Sequence, residues 1–76
     1  MKVIIYSKEE CKYCDHAKEL CESENLEYEK IMVDKEELTK LCGGKVAAYP
    51  QIFINGNHTG SYFDFQDYIE QEYEPI

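Results

Sequence analysis

The sequence predicts an α/β fold, a four-stranded mixed sheet flanked by helices, in the order β-α-β-α-β-β-α. Three observations carry that expectation. Short β-rich runs alternate with stretches of helical period along the chain. The first strand, helix and second strand form a unit that implies a parallel pair with a right-handed crossover. Asn55-Gly56, between the last two strand-like runs, is a strong hairpin signal and adds an antiparallel pair. Helices on both faces are the economical way to bury such a sheet. Residues 1–76 are read as a single domain.

Val3 to Tyr6 is a continuous apolar run that suits a strand buried on both faces. Ser7 to Glu10 is a polar loop. A helical period starts at Cys11 or Lys12, with Cys14, Ala17 and Cys21 on one face beside Leu20, and Lys12, Asp15, Lys18, Glu19 and Glu22 on the other. That amphipathic helix ends near Asn25. Glu27 to Val33 reads as the second strand. Asp34 and Glu37 stand as N-cap and third residue of a capping box. A short helix follows with Leu38, Leu41 and Cys42 on one face, and Gly43-Gly44 stops it. Gln51 to Ile54 is the third strand and Asn57 to Gly60 the fourth. Ser61 and Asp64 mark a further helix start. Phe65, Tyr68, Ile69 and Tyr73 give that helix its apolar face, and Pro75 ends it.

Composition narrows the function classes. The 76 residues include 8 basic and 16 acidic side chains, a net charge of −8. No block of Lys and Arg exists, which argues against binding nucleic acid through its phosphates. The apolar run at the N-terminus is too short for a signal peptide or a membrane span. The expectation is a cytoplasmic protein with no membrane partner. In that compartment the four cysteines, at 11, 14, 21 and 42, are not a disulfide framework, and a C-x-x-C reads as redox or metal chemistry.

Cys11-Lys12-Tyr13-Cys14 lies where a strand has ended and a helix begins. Cys11 falls at the helix N-terminus, where unpaired N–H groups and the helix dipole favour a thiolate, the reactive form of the thiol. Lys8 and Lys12 add positive charge nearby. Cys14 falls on the buried face, placed to resolve a mixed disulfide formed at Cys11. The competing reading is a zinc half-site. Structural zinc takes four ligands, there is no second C-x-x-C, and His16 and His58 are not spaced to complete one, so no metal is expected. Cys21 and Cys42 both fall on apolar faces and read as core residues, with regulatory oxidation, at Cys42 above all, as the alternative.

Three segments resemble the glutaredoxin family. Tyr6-Ser7-Lys8-Glu9-Glu10-Cys11-Lys12-Tyr13-Cys14 is similar to its active-site segment. Tyr49-Pro50-Gln51-Ile52-Phe53-Ile54-Asn55-Gly56 is similar to its second signature, and Gly60-Ser61-Tyr62-Phe63-Asp64 to its third. The resemblance spans nearly the whole chain and implies a thioredoxin-like fold. It also implies a thiol–disulfide oxidoreductase with no bound cofactor and glutathione as reducing co-substrate. Cys11 attacks a disulfide, Cys14 or glutathione resolves it, and a second glutathione restores the thiol. Ribonucleotide reductase and glutathione-modified proteins are the implied protein partners, and a monomer is the implied state.

Carried onto this sequence, the resemblance has Lys8, helped by Gln51, pair with the glycine carboxylate of glutathione. Tyr13 lines the groove. The backbone of Tyr49, held by a cis Pro50, pairs with the cysteinyl part. The N–H groups of Tyr62 and Phe63 take the γ-glutamyl carboxylate, and Asp64 faces its ammonium. Each has a simpler alternative: a solvated charge for Lys8, a strand-opening proline for Pro50, a helix cap for Asp64, half-buried aromatics for Tyr13 and Tyr62. The sequence departs from the family pattern at Lys12, Tyr49, Ser61 and Phe63. Two further readings stay open: a redoxin reduced by thioredoxin reductase, and a dimeric iron–sulfur carrier.

Overall fold

A computed structural model describes residues 1–44 and 48–72. Its elements are β1 (Lys2–Ser7), α1 (Lys12–Ser23), β2 (Glu27–Met32), α2 (Lys35–Leu41), β3 (Gln51–Ile54), β4 (Asn57–Gly60) and α3 (Tyr62–Glu72). The expected order is the order found. Tyr73 and Pro75, expected to finish the last helix, lie outside the described residues.

The four strands form one sheet in the order β2-β1-β3-β4. β1 runs parallel to β2, with Val3 opposite Tyr28, and antiparallel to β3, with Ile5 opposite Ile52. β4 returns antiparallel to β3, Phe53 facing His58. The turn between them carries positive φ at Asn55 (52°) and Gly56 (85°), the pair of left-handed residues that a tight two-residue hairpin requires. Asn55 also ties the turn to β1: its carboxamide oxygen accepts from the Lys2 N–H at 2.9 Å.

β1 alternates rather than burying both faces equally. Val3, Ile5 and Ser7 are fully buried, while Ile4 and Tyr6 are half-buried. The closed face meets α1 and α3, where Ala17, Cys21, Phe65 and Ile69 join Val3, Ile5, Ile52 and Ile54 in one core. On the other face Tyr6 meets Phe53 edge-on at 5.4 Å, and Phe53 stacks on His58 at 4.9 Å. The expectation of a strand buried on both sides is corrected: its apolar run is continuous, but the second face has a thinner cover.

α2 adds little buried apolar surface. Asp34 caps it, accepting from the Glu37 N–H at 2.8 Å as the capping box requires. The helix is only seven residues long, and Leu38 is its buried side chain. Leu41 is exposed and Cys42 half-buried. The wider apolar face expected through Leu41 and Cys42 is therefore not formed. Cys42 is a boundary residue with its sulfur 3.7 Å from His58 Nε2, not a core residue. Cys21 is fully buried, as expected.

Candidate functional site

The site is assembled at the C-terminal end of β1. The chain leaves the strand at Ser7 and turns at Glu10, whose φ is +54°. It delivers Cys11 in extended geometry as the N-cap of α1. Cys11 takes the place usually held by a Ser or Asp oxygen: its sulfur accepts from the Cys14 N–H at 3.2 Å. The two cysteines are disulfide-bonded, with Cα atoms 5.2 Å apart. Cys14 has no exposed surface, whereas Cys11 keeps 8%. The pair is therefore asymmetric. Cys11 keeps a small accessible area at the positive end of a helix. Cys14 lies in the interior.

An aromatic wall rises beside the disulfide. Tyr13, between the two cysteines, is 43% exposed and stacks on Tyr62 at 5.8 Å. Phe63, 55% exposed, lies 5.2 Å from Tyr13 and 5.4 Å from Tyr62. His16, one turn after Tyr13, adds its ring at 5.7 Å. Between this wall and the segment Ala48-Tyr49-Pro50 runs a groove of about 290 Å³, also lined by Ser61. The Tyr49–Pro50 bond is cis and Pro50 is fully buried.

Tyr49 separates that groove from a second one of about 330 Å³ lined by Lys8, Lys35 and Ala48. Its hydroxyl donates to the Val33 carbonyl at 2.6 Å, which fixes the ring. Burial, with Asp34 and Glu37 nearby, holds its phenol above the ordinary tyrosine value. Lys8 sets its ammonium 5.5 Å from the centre of that ring, within cation–π range.

Of the residues singled out from the sequence, the fold brings Tyr13, Tyr49, Pro50, Tyr62 and Phe63 together around one groove, with the disulfide-bonded Cys11 and Cys14 flanking Tyr13 in the chain and Lys8 beside Tyr49 in the second groove. Asp64 sits at the start of α3, where one carboxylate oxygen accepts from both the N–H (2.9 Å) and the hydroxyl (3.1 Å) of Ser61. Gln51 lines neither groove. It is 8% exposed, its amide donates to the Ala48 carbonyl at 2.8 Å, and its oxygen meets His58 Nε2 at 2.6 Å. Its role in the fold is to hold the backbone before Pro50.

Two contributors escaped the sequence reading. His16 was legible in principle, because it follows Tyr13 at helical spacing. Ala48 carries no chemical signal, since it acts through position alone. Among the described residues no group of three His, Cys, Asp or Glu is arranged to hold a metal. No helix among them is long and apolar enough to cross a membrane.

The chain is 30% identical to glutaredoxin 1 of Escherichia coli over 81 aligned positions, covering 93% of this chain and 95% of that protein. It is 41% identical to glutaredoxin 1 of Rickettsia typhi, covering 92% of this chain and 71% of that one. Among solved structures, reduced E. coli glutaredoxin matches with a TM-score of 0.83 at 28% identity, over 99% of this chain and all of that one. With the glutaredoxin family model matching residues 3–59, and a C-x-x-C disulfide at the N-terminus of its first helix, the chain belongs to the glutaredoxin family of thiol–disulfide oxidoreductases.

Proposed function

We propose that this protein is a glutathione-dependent reductase of protein disulfides and glutathione mixed disulfides, acting as a monomer of one domain in the cytoplasm. The observation that carries the reading is the asymmetry of the cysteine pair: Cys11, at a helix N-terminus, keeps a small accessible area, and its partner Cys14 has none. The Cys11 thiolate attacks one sulfur of a substrate disulfide. That bond breaks, a mixed disulfide forms at Cys11, and the departing thiolate takes a proton from solvent. Either Cys14 attacks Cys11 and releases the second substrate thiol, or a glutathione thiolate does so. Two glutathione molecules in all return the protein to the dithiol and leave as glutathione disulfide.

The groove beside Cys11 suits an extended peptide. Tyr49 offers its backbone as an added strand. Lys8 supplies a cation for the glycine carboxylate. The first-turn N–H groups of α3, at Tyr62 and Phe63, favour the γ-glutamyl carboxylate. Asp64 can face the ammonium with its remaining lone pairs while it caps α3. Gln51 is assigned to support of the Tyr49–Pro50 segment instead of direct contact. Ribonucleotide reductase is a protein substrate to try first.

The test is consumption of reduced nicotinamide cofactor with glutathione, glutathione reductase and a small mixed disulfide. Turnover in that system is the expected result. The exposed Phe63 ring at the start of α3 favours one other reading, reduction by thioredoxin reductase. Turnover with that enzyme alone would replace the glutathione assignment.

A further inference from the structure

Phe63 presents an unusual surface for a residue in an acidic protein. The chain carries a net charge of −8, yet more than half of this ring faces solvent. Its ring lies against two other exposed or half-buried aromatics, Tyr13 and Tyr62. The described residues that line the groove it borders are Tyr, Ala, Pro, Ser and Phe, with no ionised group among them. Tyr13, which lies within the C-x-x-C, lines one wall of the groove and Pro50 the opposite wall.

We propose that Phe63, stacked against Tyr13, is a specificity residue that selects disulfides whose reacting cysteine is flanked by an apolar or aromatic side chain. The occupant is an extended segment of a protein substrate. Its cysteine sulfur meets Cys11, and its neighbouring side chain enters the groove against Phe63. A polar neighbour such as serine would lose hydration against the Phe63 ring without gaining a partner from it. An aromatic neighbour would bury its own ring and that of Phe63 together. The proposal rests on the disulfide-reductase reading and adds a substrate class to it. The step is a dithiol–disulfide exchange: the substrate disulfide gains two electrons and two protons and is released as two thiols, while Cys11 and Cys14 lose them and form their disulfide.

The experiment uses the reduced full chain in single turnover, so that neither glutathione nor any reductase takes part. Its substrates are disulfide dimers of two acetylated, amidated tripeptides, with phenylalanine or serine before the cysteine. Released thiol is followed after acid quench. The wild-type protein should favour the phenylalanine peptide by about tenfold, equivalent to about 1.4 kcal/mol. Phe63→Ser should bring the ratio of the two rates towards one, and Phe63→Trp should preserve the preference. Because both rates come from the same preparation, a partly unfolded variant leaves the ratio intact. A wild-type ratio near one, or a ratio that survives in Phe63→Ser, overturns the proposal. So does a dimer in sedimentation that Phe63→Ser converts to monomer, since the ring would then belong to a contact between copies. Failure of the glutathione-coupled assay with the peptide preference intact would overturn the reductant assignment alone.

Discussion

The backbone N–H of Cys14 points at the sulfur of Cys11 across 3.2 Å. That contact makes Cys11 the cap of α1 as well as its reactive group. The same N–H belongs to the first turn of α1, at the positive end of the helix dipole.

The first prediction follows from the difference in access between the two sulfurs. Cys11→Ser should reduce turnover to the uncatalysed background with every disulfide. Cys14→Ser should keep reduction of glutathione mixed disulfides, where glutathione can act as resolving thiol, and lose reduction that depends on an internal dithiol. Retained activity in Cys11→Ser would reverse the assignment of attacking and resolving sulfurs.

The second concerns the other thiols. Burial, with Glu22 adding its charge, pushes the Cys21 thiol from 9.0 up to about 11, and burial raises that of Cys42 as well. In the fully reduced protein at neutral pH, iodoacetamide should modify Cys11 first, Cys42 much more slowly and Cys21 last, read by peptide mass mapping. The raised Cys21 value also sets a sign for stability. Below pH 9 the thiol is neutral in folded and unfolded chains alike, and the contribution is fully present. Between pH 9 and about 11 the unfolded chain ionises first, so stability falls as pH rises. Over that window wild type should lose up to about 2–3 kcal/mol more than Cys21→Ala in denaturant titrations. Equal losses in the two proteins would remove the burial argument.

Most of the fold was legible because its signals are local. The 3.6 period of α1, the capping box at Asp34 and the Asn55-Gly56 turn each act within a few residues, and each appears where expected. What escaped depends on distant partners. Leu41 and Cys42 share an apolar face on paper, but a seven-residue helix buries one side chain, Leu38. Gln51 stands next to Pro50 in the sequence, yet a strand alternates its faces. Its amide turns away from the groove, to His58 across the hairpin. The redox pair was legible from spacing, whereas the groove wall is made by α1 and α3 meeting, which no local pattern encodes.

The third prediction isolates Lys8. Its ammonium is exposed and lies beside the Tyr49 ring. An exposed charge contact contributes about 0.2–1 kcal/mol. Lys8→Gln should therefore raise KM for glutathione mixed disulfides roughly two- to fivefold with kcat nearly unchanged, since a carboxylate bound far from the reacting sulfur contributes equally to ground and transition states. The difference should shrink as ionic strength rises. A fall in kcat at constant KM would assign Lys8 to the chemistry at Cys11 instead of to binding.

The fourth prediction couples the hairpin to the start of α3. Gly60 holds φ at +126°, which an L side chain adopts only under strain, and a Cβ there would stand 2.9 Å from Asp64 Cγ and 3.0 Å from its Cβ. Gly60→Ala therefore has two costs: backbone strain of about 1–3 kcal/mol, and displacement of the carboxylate that accepts from Ser61. Asp64→Ala alone should cost about 1 kcal/mol as a lost cap. In the double variant the clash with the carboxylate is gone, while the tight contact with the Cβ of residue 64 and the backbone strain remain. The two losses should then sum to more than the measured double loss by about 0.5–3 kcal/mol. Full additivity in urea titration would mean that the Asp64 side chain does not occupy the space above Gly60. Because Asp64 also stands at the proposed γ-glutamyl end of the groove, Gly60→Ala should raise KM for glutathione substrates even at temperatures where the variant is fully folded. An unchanged KM would leave Asp64 with its capping role alone.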